Sequence, residues 1–134
     1  MSAELRELSV EECRLLIQSG GVGRVAFRSP KGLEIVPVNF QVYGDSIVFR
    51  TTPYTELGLH GPGSNAVIEV DQLDAEHQTG WSVVARGRLH VVADPVENSA
   101  IRLAKDPQPW AGGTRRLYVK LPWRELTGRR LEPL

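Results

Sequence analysis

The chain has 134 residues, of which 41% are hydrophobic and 24% are charged. These proportions are typical of one soluble globular domain, here residues 1–134, that is long enough to bury its own core. With 16 basic and 16 acidic side chains the formal net charge is zero, and this balance argues against nucleic acid as a partner.

The chain has one cysteine, Cys13, which excludes an intramolecular disulfide and a paired-cysteine metal site. A single cysteine is typical of a reducing compartment, so we expect a cytoplasmic protein. The first residues are polar and acidic, and no apolar run is long enough to cross a bilayer. We therefore expect neither secretion nor membrane association.

A helix is predicted near the start of the chain. Ser9 and Glu12 have the spacing of a capping box, residues 15–17 supply an apolar face, and Gly20 and Gly21 end the helix. Cys13 lies on this helix and is expected to be a small buried hydrophobe.

Alternating apolar residues then predict a series of strands joined by tight turns. The first three strands are predicted over residues 22–28, 33–43 and 46–52. Pro37 cannot donate a ladder hydrogen bond, so the second of these strands must be an edge or be bulged there. Open backbone beside a bulge is often where a ligand binds, although a plain edge strand is an equally good interpretation.

The second half of the chain continues the pattern with fewer turns. Residues 53–63 break it and have room for one short helical turn. The predicted elements after that are strands over 65–74, 80–92 and 116–126, a helix over 95–105 and a loop over 106–113. Hairpins with few helical crossovers predict an antiparallel barrel or sandwich.

No self-contained set of catalytic side chains is evident. The three histidines, His60, His77 and His90, do not have metal-ligand spacing, and there is no nucleophile elbow or Walker loop. Cys13 has no base near it in sequence, so a cysteine nucleophile is not expected. The catalytic residues stay unknown, and we expect any reaction to depend on a cofactor.

Two groups of residues have the character of a ligand site. Arg50 stands among threonines at a strand end, where a cation, hydroxyls and open backbone could hold a phosphate, although Arg50 could equally pair with a carboxylate. Trp81 and Trp110 stand beside turns, where an aromatic ring can stack on a planar ligand.

The motifs VGRVAF, VPVNF, IVFRTT, VIEVD, GWSVVARG and LTGRRL follow one another in this order. This order resembles the pyridoxamine 5'-phosphate oxidase-like FMN-binding split barrels over nearly the whole chain, especially the short actinobacterial and nitroimidazole-resistance-type members. The resemblance implies a mostly β fold, namely a six-stranded antiparallel split β-barrel of Greek-key type with short flanking helices. It also implies a homodimer with two FMN molecules in the groove between the subunits, and hydride or electron transfer at the flavin ring.

The resemblance also implies which residues hold the flavin. One strand would contact the ring mainly through its backbone, the FRTT segment would meet the phosphate, and the last segments would reach across the dimer. The implied cofactor-binding residues are Pro37, Val38, Asn39, Phe40, Arg50, Thr51, Thr52, Trp81, Ser82, Val83, Trp110, Arg116 and Lys120.

Three positions depart from the family pattern. Glu56 stands where relatives place a phosphate-binding lysine, and Tyr118 and Lys120 replace a histidine and an arginine of the true oxidase. Oxidation of pyridoxamine phosphate itself is therefore not expected.

Three hypotheses about function follow from the resemblance and its departures. The first is an FMN-dependent oxidoreductase acting on a small molecule. The second is a reductase that uses a deazaflavin coenzyme, whose acidic tail would meet the basic residues Arg115, Arg116, Arg129 and Arg130. The third is a dimeric binding module without a cofactor, which the carboxylate of Glu56 favours.

Overall fold

The computed structural model describes residues 3–133, which form eight strands and three helices. In chain order these are β1 (Ala3–Leu8), α1 (Val10–Ile17), β2 (Gly21–Ser29), β3 (Gly32–Tyr43), β4 (Ser46–Thr51), α2 (Glu56–His60), β5 (Asn65–Asp74), β6 (Thr79–Arg88), β7 (His90–Val91), α3 (Pro95–Lys105) and β8 (Leu117–Pro133).

Six of the strands close into a barrel. Their order is β8–β4–β3–β2–β5–β6, and β6 pairs back with β8, so the ring has no open end. Every neighbouring pair is antiparallel. The mostly β fold with a six-stranded antiparallel barrel is thereby confirmed, and β1 and β7 are additions that pair with β8 outside the ring.

Strand β8 takes part in both halves of the barrel. Residues 117–122 pair with β4, and residues 123–131 pair with β6. The change of partner coincides with a bulge at Arg86/Gly87, where a Cβ on Gly87 would lie 2.3 Å from the Pro122 carbonyl oxygen. A glycine lets the two backbones approach closely enough for β8 to turn from one partner to the other.

Apolar residues fill the barrel and a smaller layer outside it. Phe27, Phe40 and Phe49 are the largest side chains of the interior, and Cys13 and Ile17 of α1 pack into the same cluster. Helix α3 covers the outer face of β4 and β8 with a second cluster, which consists of Val48, Val92, Ile101 and Tyr118. The expected burial of Cys13 and the capping box of α1 are both confirmed.

The observed elements differ from the predicted ones in three places. β1 was not predicted, and β8 continues to Pro133, beyond the predicted end at residue 126. The strand predicted over residues 80–92 is interrupted, because the Leu89 amide donates to the Ser64 carbonyl (2.9 Å) and not to a neighbouring strand. The short helical turn predicted within residues 53–63 is present as α2.

The longest of the helices in residues 3–133 has 11 residues, and none has the length and apolar character that a membrane crossing needs.

Candidate functional site

Within residues 3–133, the first part of β3 has a neighbouring strand on one edge only. β3 pairs with β2 from Gly32 to Phe40, but it pairs with β4 only from Phe40 to Tyr43. Among the described strands, nothing pairs with the other edge of β3 over residues 33–39. The expectation that Pro37 lies on an edge is therefore confirmed, and this backbone can pair with a ligand.

The open edge forms one wall of a cleft of about 330 Å³, which we call the edge cleft. The other walls come from the end of β4, the start of α2, and the segment between α3 and β8. The lining residues are Glu34, Val36, Pro37, Val38, Asn39, Arg50, Thr51, Thr55, Glu56, Leu57, Pro109, Ala111 and Arg115. Its volume is at the lower end of the range of small-molecule sites, roughly 300–1,000 Å³.

The edge cleft holds two buried polar atoms that lack a partner. Oε2 of Glu34 and Nε of Arg115 are both inaccessible to solvent and make no hydrogen bond with residues 3–133. An unsatisfied buried polar atom is costly, and such atoms in a native structure call for an explanation. Neither side chain belongs to an ion pair within residues 3–133 and both line the edge cleft, so their charges are available to a polar ligand, while Val36, Val38 and Leu57 supply apolar contact.

Thr51, at the end of β4, and Thr55 stabilise the N-terminus of α2. The Thr55 hydroxyl accepts from the Gly58 amide (3.0 Å) and lies 2.9 Å from the hydroxyl of Thr51. A Cβ on Gly58 would lie 1.8 Å from the Thr52 carbonyl oxygen, so the helix touches the backbone of the preceding loop. This N-cap fixes the orientation of the helix at the mouth of the edge cleft.

Arg50 fastens the segment that covers the edge cleft. Its Nε donates to the Arg115 carbonyl (2.9 Å) and its Nη1 to the Pro107 carbonyl (3.3 Å), and its Nη1 lies 3.7 Å from Asp106 Oδ1. The guanidinium also stacks over the Tyr118 ring at 5.1 Å. Arg50 lines the edge cleft as its sequence position suggested, but these contacts direct its donors to the covering segment.

Glu56 lies at the mouth of the edge cleft among basic groups. One of its oxygens is 3.4 Å from Nζ of Lys31 and the other is 3.4 Å from Nε2 of His60. Its negative charge is therefore partly balanced by Lys31 on the β2–β3 turn. Arg115 lines the same cleft and could pair with the phosphate of a ligand.

Six of the residues implied by the family resemblance come together here. Pro37, Val38, Asn39, Arg50 and Thr51 line the edge cleft. The backbone amide of Trp110 donates to Oδ1 of Asn39 (2.9 Å), and its indole ring is 82% exposed beside the cleft. The hydrogen bond ties the covering segment to the open edge of β3.

The other seven implied residues lie elsewhere. Phe40 and Val83 are core side chains, and Thr52 contributes its carbonyl to the turn before α2. Trp81 and Ser82 lie on β6, where they line one surface hollow, separate from the edge cleft, together with Arg129 and Leu131. Lys120 pairs with Glu97 at 2.7 Å, and Arg116 lies in a second hollow described below.

Five lining residues were not identified from the sequence: Glu34, Val36, Leu57, Pro109 and Ala111. Glu34 alternates with Val36 and Val38 along β3, so it has the register of an inward-facing residue. A carboxylate in such a position is unusual and is the signal that could have indicated it. The residues of the covering segment carry no such signal, because a loop has no period.

Comparison with known proteins places the chain among flavin-related split barrels. The family model described as pyridoxamine 5'-phosphate oxidase matches residues 9–130. The uncharacterised protein Rv0080 of Mycobacterium tuberculosis is 30% identical over 133 residues, which cover 96% of this chain and 86% of that protein.

Solved structures agree with this assignment. The FAD-binding protein of Mycobacterium smegmatis is 28% identical, with a TM-score of 0.80 over 94% of this chain and 98% of that chain. A FAD-binding protein of Mesorhizobium loti has the same fold at 18% identity, with a TM-score of 0.75 over 97% of this chain and 98% of that one. Since the family model covers nearly all of the sequence, the chain belongs to the pyridoxamine 5'-phosphate oxidase family.

Proposed function

We propose that this protein is a flavin-dependent oxidoreductase that holds its flavin in the edge cleft. The observation that carries the proposal is the open edge of β3 beside Glu34 and Arg115, two half-buried charged side chains of the cleft, each with one buried atom that lacks a partner within residues 3–133. A flavin has an apolar ring, a polar ring edge with donors and acceptors, and an anionic phosphate. The edge cleft offers a complementary group to each of these parts.

The residues present fit such a molecule. Val36, Val38 and Leu57 would contact the ring, and the β3 backbone and Glu34 would meet its polar edge. Arg115 would bind the phosphate with a charge-assisted hydrogen bond. Bound flavin supplies hydride or electron transfer, and the protein supplies binding, orientation and electrostatics.

The identity of the flavin is a separate part of the proposal. The sequence motifs resemble FMN-binding proteins, whereas the M. smegmatis relative binds FAD. Both molecules share the ring and the first phosphate, so the edge cleft as described would accept either one.

We also propose that the protein is a homodimer with the edge cleft beside the interface. Ile35 of β3, Ala26 of β2 and Val67 of β5 are directly paired and therefore share the outer face of the barrel. Ile35 is 65% exposed and its neighbour Leu33 is 78% exposed. A paired apolar row of this kind is typical of a surface that a second subunit covers.

Titration of the purified protein with riboflavin, FMN and FAD tests the flavin assignment. We expect binding, which can be measured from the change in flavin absorbance or from the quenching of tryptophan fluorescence. Arg115→Gln should weaken FMN and FAD binding at least tenfold, because it removes a charge-assisted hydrogen bond of about 1.5–3 kcal/mol. Riboflavin, which has no phosphate, should bind the variant and the original protein equally well.

Arg124→Gln provides the matched control, because Arg124 is an exposed arginine of β8 that does not line the edge cleft. Competition with a deazaflavin coenzyme in the same assay separates the second hypothesis from the first. A protein that binds none of the three flavins at micromolar concentrations would contradict the proposal.

A further inference from the structure

A second hollow, which we call the basic hollow, lies on the other side of the segment that covers the edge cleft. Residues of this segment alternate between the two spaces: Arg115 lines the edge cleft, whereas Thr114 and Arg116 line the basic hollow. The basic hollow has a volume of about 450 Å³ and is lined by Arg50, Asn98, Arg102, Thr114, Arg116 and Tyr118.

Positive charge is in excess in the basic hollow. Arg102 and Arg116 are exposed, and neither has a carboxylate oxygen within 4 Å in the part of the chain that the structure describes. The nearby carboxylates have other partners. Asp106 accepts from the Tyr118 hydroxyl (2.8 Å) and faces Arg50, and Glu97 is paired with Lys120.

The donors converge from opposite walls. Asn98 and Arg102 are one turn apart on α3 and therefore share a face of the helix. Thr114 and Arg116 face them from the segment that leads into β8. Between these walls lies Tyr118, whose ring is held under Arg50 and whose hydroxyl is fixed by Asp106. Burial, and then this hydrogen bond, raise the pKa of Tyr118, so the phenol stays neutral and its proton stays in the bond to Asp106.

We propose that the basic hollow is a binding site for a phosphoryl group, carried by a phosphate ester or a diphosphate. Two guanidinium groups without carboxylate partners and the Thr114 hydroxyl form the set of donors. The Asn98 amide nitrogen already donates to the Val92 carbonyl (3.4 Å) and has a second N–H for the ligand. The planar guanidinium binds phosphate oxygens through two parallel hydrogen bonds, which makes arginine well suited to this ligand. A neutral ligand would leave the like charges of the two arginines uncompensated.

Calorimetric titration with inorganic phosphate and with ADP tests the site without reference to flavin. We expect both anions to bind the original protein. Arg102→Gln and Arg116→Gln should each weaken their binding about tenfold, and the double variant should weaken it further. Arg124→Gln removes the same charge elsewhere on the surface and should leave both affinities unchanged.

Two sources of the phosphoryl group can be distinguished in the same protein. If the diphosphate of FAD occupies the basic hollow, FAD should bind more tightly than FMN, and Arg102→Gln should remove that difference. If a separate phosphorylated molecule is the ligand, ADP should bind equally well to the FMN-loaded and flavin-free protein. Either result supports the phosphoryl site.

Absence of phosphate and ADP binding, or binding that is equal in all variants, would overturn the inference. The inference would also be overturned if Arg102→Gln and Arg116→Gln converted a dimer into monomers and left anion binding unchanged. The arginines would then belong to an interface between copies. The inference is independent of the flavin assignment, because a protein that binds phosphate here and no flavin would contradict only the latter.

Discussion

Glu69 is the residue whose ionisation is most altered by its surroundings. It shares the outer face of β5 with Asp71, and Nη1 of Arg24 lies 3.2 Å from Glu69 Oε1 and 3.4 Å from Asp71 Oδ2. Partial burial, and then the hydrogen bond and negative charge of Asp71, raise the pKa of Glu69 to about 7, although Arg24 opposes the shift. The folded protein therefore holds a proton that the unfolded chain releases near pH 4.5.

This raised pKa predicts a stability that falls as the pH rises from about 4.5 to about 7. Over this interval the folded state binds more protons than the unfolded state, so the slope of unfolding free energy against pH is negative. Glu69→Gln keeps the hydrogen-bonding capacity but cannot ionise. We expect the variant to show a flatter slope and to be more stable than the original protein at pH 8.

Urea unfolding at pH 5, 6.5 and 8 measures the effect. Glu4→Gln is the control, because Glu4 is exposed on β1 and belongs to no ion pair within residues 3–133. Equal slopes for Glu69→Gln and the original protein would show that the folded state does not retain the proton.

At the scale of elements, the segment between α3 and β8 decides the shape of both cavities. It is held at both ends by Arg50, which donates to the carbonyls of Pro107 and Arg115, and in its middle by the bond from the Trp110 amide to Asn39. Gly112 and Gly113 have open space around them, so little packing restrains the part between these anchors. The segment is thus positioned by a few hydrogen bonds and not by a core of its own.

Arg50→Lys is therefore expected to loosen this segment while leaving the barrel intact. A lysine ammonium lacks the planar fork needed to reach two carbonyls and to stack on Tyr118. Losing one or two such bonds, each of about 1–2 kcal/mol, should speed amide exchange at least tenfold over residues 108–116. Hydrogen–deuterium exchange measures this directly. The amides of β2 and β5 should be unaffected, and Arg124→Lys should behave like the original protein.

The elements that could be predicted from the sequence are those whose period is local. The hairpin β2–β3 and the helices α1 and α3 carry capping residues or alternation that the barrel then uses. β1 has only three apolar residues, Ala3, Leu5 and Leu8, and most of its side chains are exposed, so it is a strand only because β8 pairs with it. The end of β8 was missed for the same reason, since Gly128 and two arginines interrupt the pattern while β1 and β6 pair on both sides.

The candidate site was predicted in part. Pro37 and residues 50–51 were indicated because an edge proline and a strand end have visible signals, whereas Val38 and Asn39 were implied by the family resemblance. The role of Arg50 as an anchor, and that of Arg115 as the unpartnered cation, depend on how a loop without a period folds across the barrel. That information lies in long-range contacts, which no local pattern contains.

For the whole molecule, the outer apolar row on β3, β2 and β5 carries the prediction of a dimer. We expect light scattering to give a mass close to twice the chain mass of 14.9 kDa. Ile35→Glu places a charge in the centre of the row and should shift the protein towards monomer, because a buried unpaired charge costs several kcal/mol. It should also weaken flavin binding if the edge cleft is completed by the partner subunit.

Leu103→Glu is the control for this experiment, because Leu103 is 90% exposed on α3, which contributes no residue to the row. Its mass should equal that of the original protein. A monomeric original protein, or an Ile35→Glu variant that stays dimeric, would remove the support for the proposed interface.

The central position of β8 has a consequence for how the protein is made. During synthesis, β4 and β6 leave the ribosome well before β8, and each must wait with an unpaired edge until residues 117–131 emerge. β1 stays unpaired for the longest part of synthesis, because its residues 3–8 pair with residues 128–133. The barrel therefore cannot close until residues 117–131 have left the ribosome, and before that point its unpaired strand edges are most exposed to aggregation and most dependent on chaperones.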